Sequence, residues 1–407
     1  GSSFVITPSV ARRFQLIGII AAYAVNTTFT DINISGGVLS VNAASGDDII
    51  YLGGIAGLMR ESSVADCTVD IKIYASLGNT IPSCIGGVAG YLYENKTITN
   101  CFVLRDVEGS GGFDNGIGGL AGSSFGGGAI RNSLVSGNVK ATMYGGSNAG
   151  GLVGHYGAGI IESCSVTGNV SSESTAASIE RVSAGGLVGQ LEGSDDGSTA
   201  AVIRRSYSTG TVSAGNLASA SRPVRAGGIA GGISNSAEIT DCYSTGDISA
   251  DGGTAGSIEV CAGGIAGRPN PKVGNTTIAR CYALGTISVA GSSSNKAAGG
   301  IAGNAYAESG GTGSITNCAA LSGSGSITCE GSGTAKRIAG STNFSLSYNI
   351  ANSAMSGSSS DSGQDGADKT SSDLALQATY TTLGWDFSTV WKMSGDSPSR
   401  PILKWQP

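Results

Sequence analysis

Apolar positions in this chain recur in short runs with a period of two. Counting by twos from Cys164 gives Cys164, Val166, Gly168 and Val170. The same count gives Cys242, Ser244, Gly246 and Ile248 in a second run, and Cys281, Ala283, Gly285 and Ile287 in a third. The alternate positions, such as Ser163, Ser165, Thr167 and Asn169, or Asp241, Tyr243, Thr245 and Asp247, are polar or amphipathic. A period of two is that of a β-strand, so each run predicts a strand buried on one side, against a narrow interior of small residues. Each run opens with the same signature, at Ile98–Cys101, Ile161–Cys164, Ile239–Cys242, Ile278–Cys281 and Ile315–Cys318. It also stands at Val64–Cys67, and with Ser in the last place at Ile130–Ser133 and Ile203–Ser206. Helical periodicity is nearly absent, and 68 glycines would be ruinous for helices.

A second pattern sets the long period. Gly-Gly-(Ile/Val/Leu)-(Ala/Val)-Gly begins at Gly53, Gly86, Gly118, Gly150, Gly185, Gly227, Gly263 and Gly299, in steps of 33, 32, 32, 35, 42, 36 and 36 residues. A degenerate copy stands at Arg337-Ile338-Ala339-Gly340, and a worn first copy at Ile17-Gly18-Ile19-Ile20. Repeats of this length mean a solenoid, propeller or array. One repeat cannot bury its own small apolar face, but stacked repeats with like over like form a continuous core. The expected fold is therefore all-β: a right-handed parallel β-helix of about nine coils, with a length on the order of 45 Å. The varying steps belong in loops between strands. An antiparallel prism or propeller would need hairpin turns that the repeat positions lack.

The blocks Gly150–Gly154 and Gly185–Gly189, with Cys242-Tyr243-Ser244-Thr245-Gly246-Asp247-Ile248, resemble the GLUG motif of bacterial surface adhesins and some IgA-peptidase-like proteins. The ending from Leu383-Gly384-Trp385-Asp386-Phe387 through Trp391 to Pro401–Trp405 fits the same pattern. The resemblance covers roughly residues 50 to 405. It implies a secreted or cell-surface protein and brings no catalytic residues with it.

Composition narrows the function further. Charged residues make up 13% and net charge is −6, without a run of Lys or Arg, which argues against nucleic-acid binding. No stretch has the 18 or more apolar residues of a spanning helix. The run Phe14–Val25 behind Arg12-Arg13 has the order of a secretion signal but no small-residue cleavage site, and reads as an N-terminal coil. Six of nine cysteines (Cys67, Cys101, Cys164, Cys242, Cys281, Cys318) share one repeat position that Ser fills twice, so they read as a buried ladder of reduced thiols rather than as disulfides or metal ligands. No cofactor-binding pattern is present: the glycine blocks lack a following Gly-Lys-(Ser/Thr) and lead into no helix. The single histidine, His155, reads as a loop residue.

Three regions are expected: a solenoid over 1–350, a Ser/Gly/Asp-rich loop over 351–373, and an aromatic-rich cap over 374–407 that covers the raw strand edge of the last coil. Asp361, Asp365 and Asp368 stand near Gly366 somewhat as in a calcium loop, but Gly363 and Ser372 fall where ligands are needed, so a solvated loop is the simpler reading. Ser372-Asp373 would cap a short helix, Leu374–Thr379.

One surface constellation remains. Arg205 and Tyr207, Asp241 and Tyr243, and Arg280 and Tyr282 flank the Cys/Ser position in three successive repeats. Stacking would align them as a tyrosine ladder beside an Arg–Asp–Arg row, which is either a structural ladder or a platform for a ligand such as a sugar. The expected function is that of a non-enzymatic adhesin or scaffold that binds a host or bacterial surface glycan or protein. The alternative is a carbohydrate-active β-helix enzyme or carbohydrate-binding module, which would need paired carboxylates where only Asp241 stands.

Overall fold

The computed structural model describes residues 3–6, 14–44, 49–94, 96–175, 181–216, 223–254 and 256–406. Each coil passes through four short faces. In the coil of Gly53 these are Ile49–Gly53, Ala56–Arg60, Ser63–Ala65 and Thr68–Leu77. Coil stacks on coil through parallel pairing only, giving ten strands on each of the first three faces and a larger sheet on the fourth. Like lies over like: Gly53 pairs with Gly86, Gly86 with Gly118, and Tyr207 with Tyr243, which pairs with Tyr282. The protein is a parallel β-solenoid of about nine turns with a small antiparallel C-terminal sheet. Its first coil is Phe14–Gly18 and Ala21–Val25, so the run that resembles a signal is part of the stack.

Crowding explains the three glycines of each block. A side chain on Gly54 would meet the Gly87 carbonyl oxygen of the following coil at 2.2 Å, while one on Gly57 would meet the Ile17 nitrogen of the preceding coil at 2.4 Å. The degenerate copies keep only part of the pattern, with Ile19 over Gly54 at the second place of the first coil and Lys336 over Gly299 at the first place of the last. In the first coil the third glycine is replaced by Ala22, and among the described residues no strand of a preceding coil lies on this face. In the last coil the second is replaced by Arg337, and likewise no strand of a following coil lies there among the described residues; Gly340, which faces Ala298 and Gly303 of the coil before, is kept.

The Cys/Ser ladder is equally local in origin. Cys67, Cys101, Cys164, Cys242, Cys281 and Cys318 are fully buried and free. Each thiol donates to the carbonyl two residues back, for example Cys242 to Thr240 at 3.2 Å and Cys281 to Ala279 at 3.3 Å. Ser133 and Ser206 make the same bond, to Arg131 at 2.8 Å and Arg204 at 2.9 Å. Each serine oxygen also accepts the backbone N–H of the cysteine one coil back, Cys101 or Cys164. Ser therefore replaces Cys without leaving a polar atom unpaired.

The structure departs from the sequence reading in three places. The segment through each Cys is not one strand: the residue before it takes left-handed φ, 54° at Asp66, 49° at Arg205, 53° at Asp241 and 52° at Arg280. This turns the chain from the third face to the fourth. Second, 351–373 is an exposed loop over much of its length, but it is tied to the last coil. Ala367–Lys369 pairs with Ile350–Asn352, Met355 enters the core, and Gln364 accepts the N–H groups of Ile338 and Ala339. Asp365, 5% exposed, accepts from the backbone of Arg337 and Ser358 and from Lys336, and Asp368 holds the Arg337 guanidinium. These carboxylates serve cations of the last coil, so it is this segment that covers part of the terminal edge. Third, the expected helix is a 3-10 turn, Asp373–Ala375, followed by a helix over Gln377–Thr381, and Ser372 makes no side-chain cap. Beyond Asp373 the chain lies along the side of the rod, against the fourth face.

Candidate functional site

The tyrosine row forms as the register requires. The rings of Tyr207 and Tyr243 stack at 4.9 Å and 2°, those of Tyr243 and Tyr282 at 4.8 Å and 4°. The charged row beside it is divided. Arg280 forms a two-pronged pair with Asp241 at 2.8 and 2.9 Å, a hydrogen-bonded arrangement that raises its already high proton affinity. Arg205 turns instead to Glu162, which also receives Arg131 and Arg204.

This row is occupied by the chain itself. Tyr243 is 3% exposed and Tyr282 fully buried, beneath Trp385, Trp391, Tyr380 and Leu403. All three indole N–H groups bond residues of the left-handed corners: Trp405 to the Arg205 carbonyl at 2.9 Å, Trp391 to the Asp241 carboxylate at 3.2 Å, and Trp385 to the Asn317 carbonyl at 2.8 Å. The Tyr282 hydroxyl donates to the Pro401 carbonyl, and Gln406 donates to the Tyr243 hydroxyl. Burial raises the pKa of both phenols. Of the six residues singled out from sequence, Tyr243, Tyr282, Asp241 and Arg280 build the seat of the C-terminal segment, with Tyr207 against Trp405 at its edge.

A second aromatic row, which sequence reasoning missed, lies open on the other side. The crowded glycine block bends the first and second faces toward each other, so their outward side chains meet in a concave groove; the Cys84 thiol bonds the Ser123 hydroxyl across it. Along the groove run Phe14, Tyr51, Tyr91, Phe125 and His155, with successive ring centroids 6.0, 5.0, 6.1 and 4.6 Å apart. Phe14 is 52% exposed and the others are half-buried. The row crosses from the first face, which carries Phe14 and Tyr51, to the second, which carries Tyr91, Phe125 and His155, so no fixed spacing from the glycine blocks would disclose it. His155 lies in the strand Val153–Gly157, not in a loop, and hydrogen-bonds Glu192 at 2.9 Å, which holds that carboxyl below the usual range. Among the described residues no three His, Cys, Asp or Glu side chains form a metal-binding group, and no helix is long and apolar enough to cross a membrane.

The model of the GLUG motif matches residues 145–171 and 223–249, the stretches that open with the blocks of Gly150 and Gly227 and run through Cys164 and Cys242. No curated protein matches the chain. Among solved structures, the crystal structure titled as that of "a putative immunoglobulin A1 protease from Bacteroides ovatus" is similar, with a TM-score of 0.48 and 22% identity over 83% of this chain and 87% of that one. The GLUG motif is thus matched in two coils, and the same glycine blocks recur through the rest of the stack.

Proposed function

We propose that the protein is a non-enzymatic adhesin or scaffold, secreted or held at a bacterial cell surface, whose rigid coil stack presents a lateral surface to a glycan. The observation that carries this reading is the aromatic row of the concave groove. Five rings in line, about one coil apart, form a fixed, half-open apolar strip; Tyr51, Tyr91 and Phe125 stack on one another, so the strip offers ring edges along its length and the 52% exposed Phe14 at its end to the C–H groups of sugar rings. The strands beneath Tyr51, Tyr91, Phe125 and His155 are paired on both sides, so the platform needs little ordering on binding. The carboxylates beside the tyrosine row are engaged: Asp241 by Arg280, and Glu162 by three arginines.

A glycan array with the parent chain and a Tyr51→Ala, Tyr91→Ala double variant tests the proposal. The parent retains at least one glycan that the variant loses, while both melt alike within a few degrees. Equal retention by both chains, or the release of shortened products from a bound glycan, would overturn it.

A further inference from the structure

The connection from the second face to the third differs in length between coils. In the coil of Gly53 two residues, Glu61 and Ser62, separate Arg60 from Ser63. In the coil of Gly185 eight, 193–200, separate Glu192 from Ala201. The coils of Gly263 and Gly299 instead lengthen their third-face strands to seven residues, Val273–Ala279 and Gly310–Thr316, which pair throughout. These additions build the walls of a cleft of about 550 Å³, with Arg181, Arg225 and Lys272 facing Glu192, Asp195 and Glu308. A neighbouring groove of about 840 Å³ shares Glu308 and is lined by Tyr306, which is 49% exposed.

Arg225 is a charged group in this cleft that the fold leaves partly unsatisfied. Its side chain is 12% exposed, yet its Nε–H is buried without an acceptor. The nearest carboxylate, Glu259, lies 3.5 Å from that nitrogen and is already held at 2.7 Å through both oxygens by Arg268. Two guanidinium groups thus share one carboxylate, and Arg225 has none of its own at hydrogen-bond distance. Burial lowers the proton affinity of Arg225, as it does for any cation taken out of water. Asn270, on the cleft wall, has the opposite lack: its Oδ1 is a buried acceptor without a donor. A ligand that brings one anionic oxygen and one hydroxyl completes both.

We propose that this cleft binds a carboxylated saccharide, its acid group on the Arg225 guanidinium with Arg181 and Lys272 alongside, a hydroxyl on Asn270, and an adjacent ring against Tyr306. Three acidic side chains in the same cleft repel a phosphate dianion, and they accept hydrogen bonds from the hydroxyls of sugar rings that carry no more than one negative charge each. The inference rests on the glycan-binding reading above and adds a second subsite to it, several coils beyond the exposed end of the aromatic row.

The test is calorimetric titration of the full chain with oligogalacturonate, oligoalginate and sialyllactose, and with methyl-esterified oligogalacturonate as the uncharged control. At least one acid form binds, and its ester, where tested, binds about tenfold more weakly or worse, the scale of one lost charge-assisted contact. Arg225→Gln weakens binding by about tenfold or more, Arg225→Lys recovers part of it, and Tyr306→Ala weakens it by a smaller factor. Arg225→Gln removes a buried charge that lacks a full partner, so its melting temperature holds or rises; should it fail to fold, Lys272→Ala and Arg181→Ala at the rim take its place. Undiminished binding in the Arg225→Gln or rim variants, or no millimolar binding of any of the three acids by the parent, overturns the cleft. If the Tyr51/Tyr91 variant still loses its array glycan in that event, the groove reading survives and only the cleft is lost.

Discussion

Trp391→Ala should be among the most damaging single changes outside the coils. The indole is fully buried, 4.6 Å from the ring of Trp385 and 6.4 and 6.2 Å from those of Tyr243 and Tyr282. A tryptophan hides on the order of 200 Å² of surface, which at about 25 cal/mol/Å² is roughly 5 kcal/mol of transfer free energy. Large-to-small changes at such sites cost about 3–5 kcal/mol. The lost bond to Asp241 adds little, because Arg280 keeps both oxygens of that carboxylate engaged. The expectation is therefore a loss of about 4 kcal/mol, confined to the docking of residues 373–406. Trp405→Ala should cost about half as much, since that ring is 40% exposed. Urea titration followed by tryptophan fluorescence measures this directly, because all three tryptophans lie in the docked segment and two remain as reporters. A midpoint for Trp391→Ala that implies less than about 1 kcal/mol of loss, or a ranking of Trp405→Ala above it, would refute the claim that burial on the tyrosine row holds the segment.

Three further outcomes follow from the same geometry. A chain ending at Ser372 keeps the cover of its last coil, so it should bind a hydrophobic dye along the bared tyrosine row yet remain monomeric, whereas a chain ending at Asn352 should associate; light scattering of the two separates these cases. Cys242→Ser should be nearly neutral and Cys242→Ala worse, because only serine repeats the bond to the Thr240 carbonyl, and titration of the unfolded, unreduced parent should find nine thiols, the free cysteines of the structure. Burial pushes the thiols of Cys101 and Cys164 up to about 12 from 9.0. Between those values the unfolded chain has released protons that the folded chain keeps, so stability should fall as pH rises, by about 1.4 kcal/mol per pH unit for each such thiol. Denaturant midpoints that stay level from pH 8 to pH 11 would contradict this.

The architecture was legible because it is written in steric rules that repeat. A side chain cannot enter where the Gly87 oxygen would lie at 2.2 Å, so glycine marks that corner in coil after coil. The tyrosine row was legible for the same reason: register alone puts Tyr207, Tyr243 and Tyr282 in line. What covers that row was not, since Trp405 meets Arg205 across two hundred residues and no local pattern encodes such a contact. The left-handed corners were disguised in the middle coils, where Arg205 and Arg280 stand in place of the Asp and Asn that favour this conformation in the earlier ones, at Asp66 and Asn100. The groove and cleft escaped notice because they join side chains of different faces and coils, although the step of 42 residues after Gly185 did mark where the walls were being lengthened.

The docked segment also fixes an order of events in making the protein. A stack of coils can grow one turn at a time, each new turn finding its template in the one before. Residues 373–406 cannot join in that way: their anchor points at Arg205, Asp241 and Asn317 belong to coils that must already stand in register. During synthesis the coils emerge first, and Tyr243 and Tyr282 wait bare until the segment that shields them has followed. Its arrival is then a check on everything between, for a coil skipped or slipped between Arg205 and Asn317 would leave the three indoles out of step with the carbonyls and carboxylate they must meet.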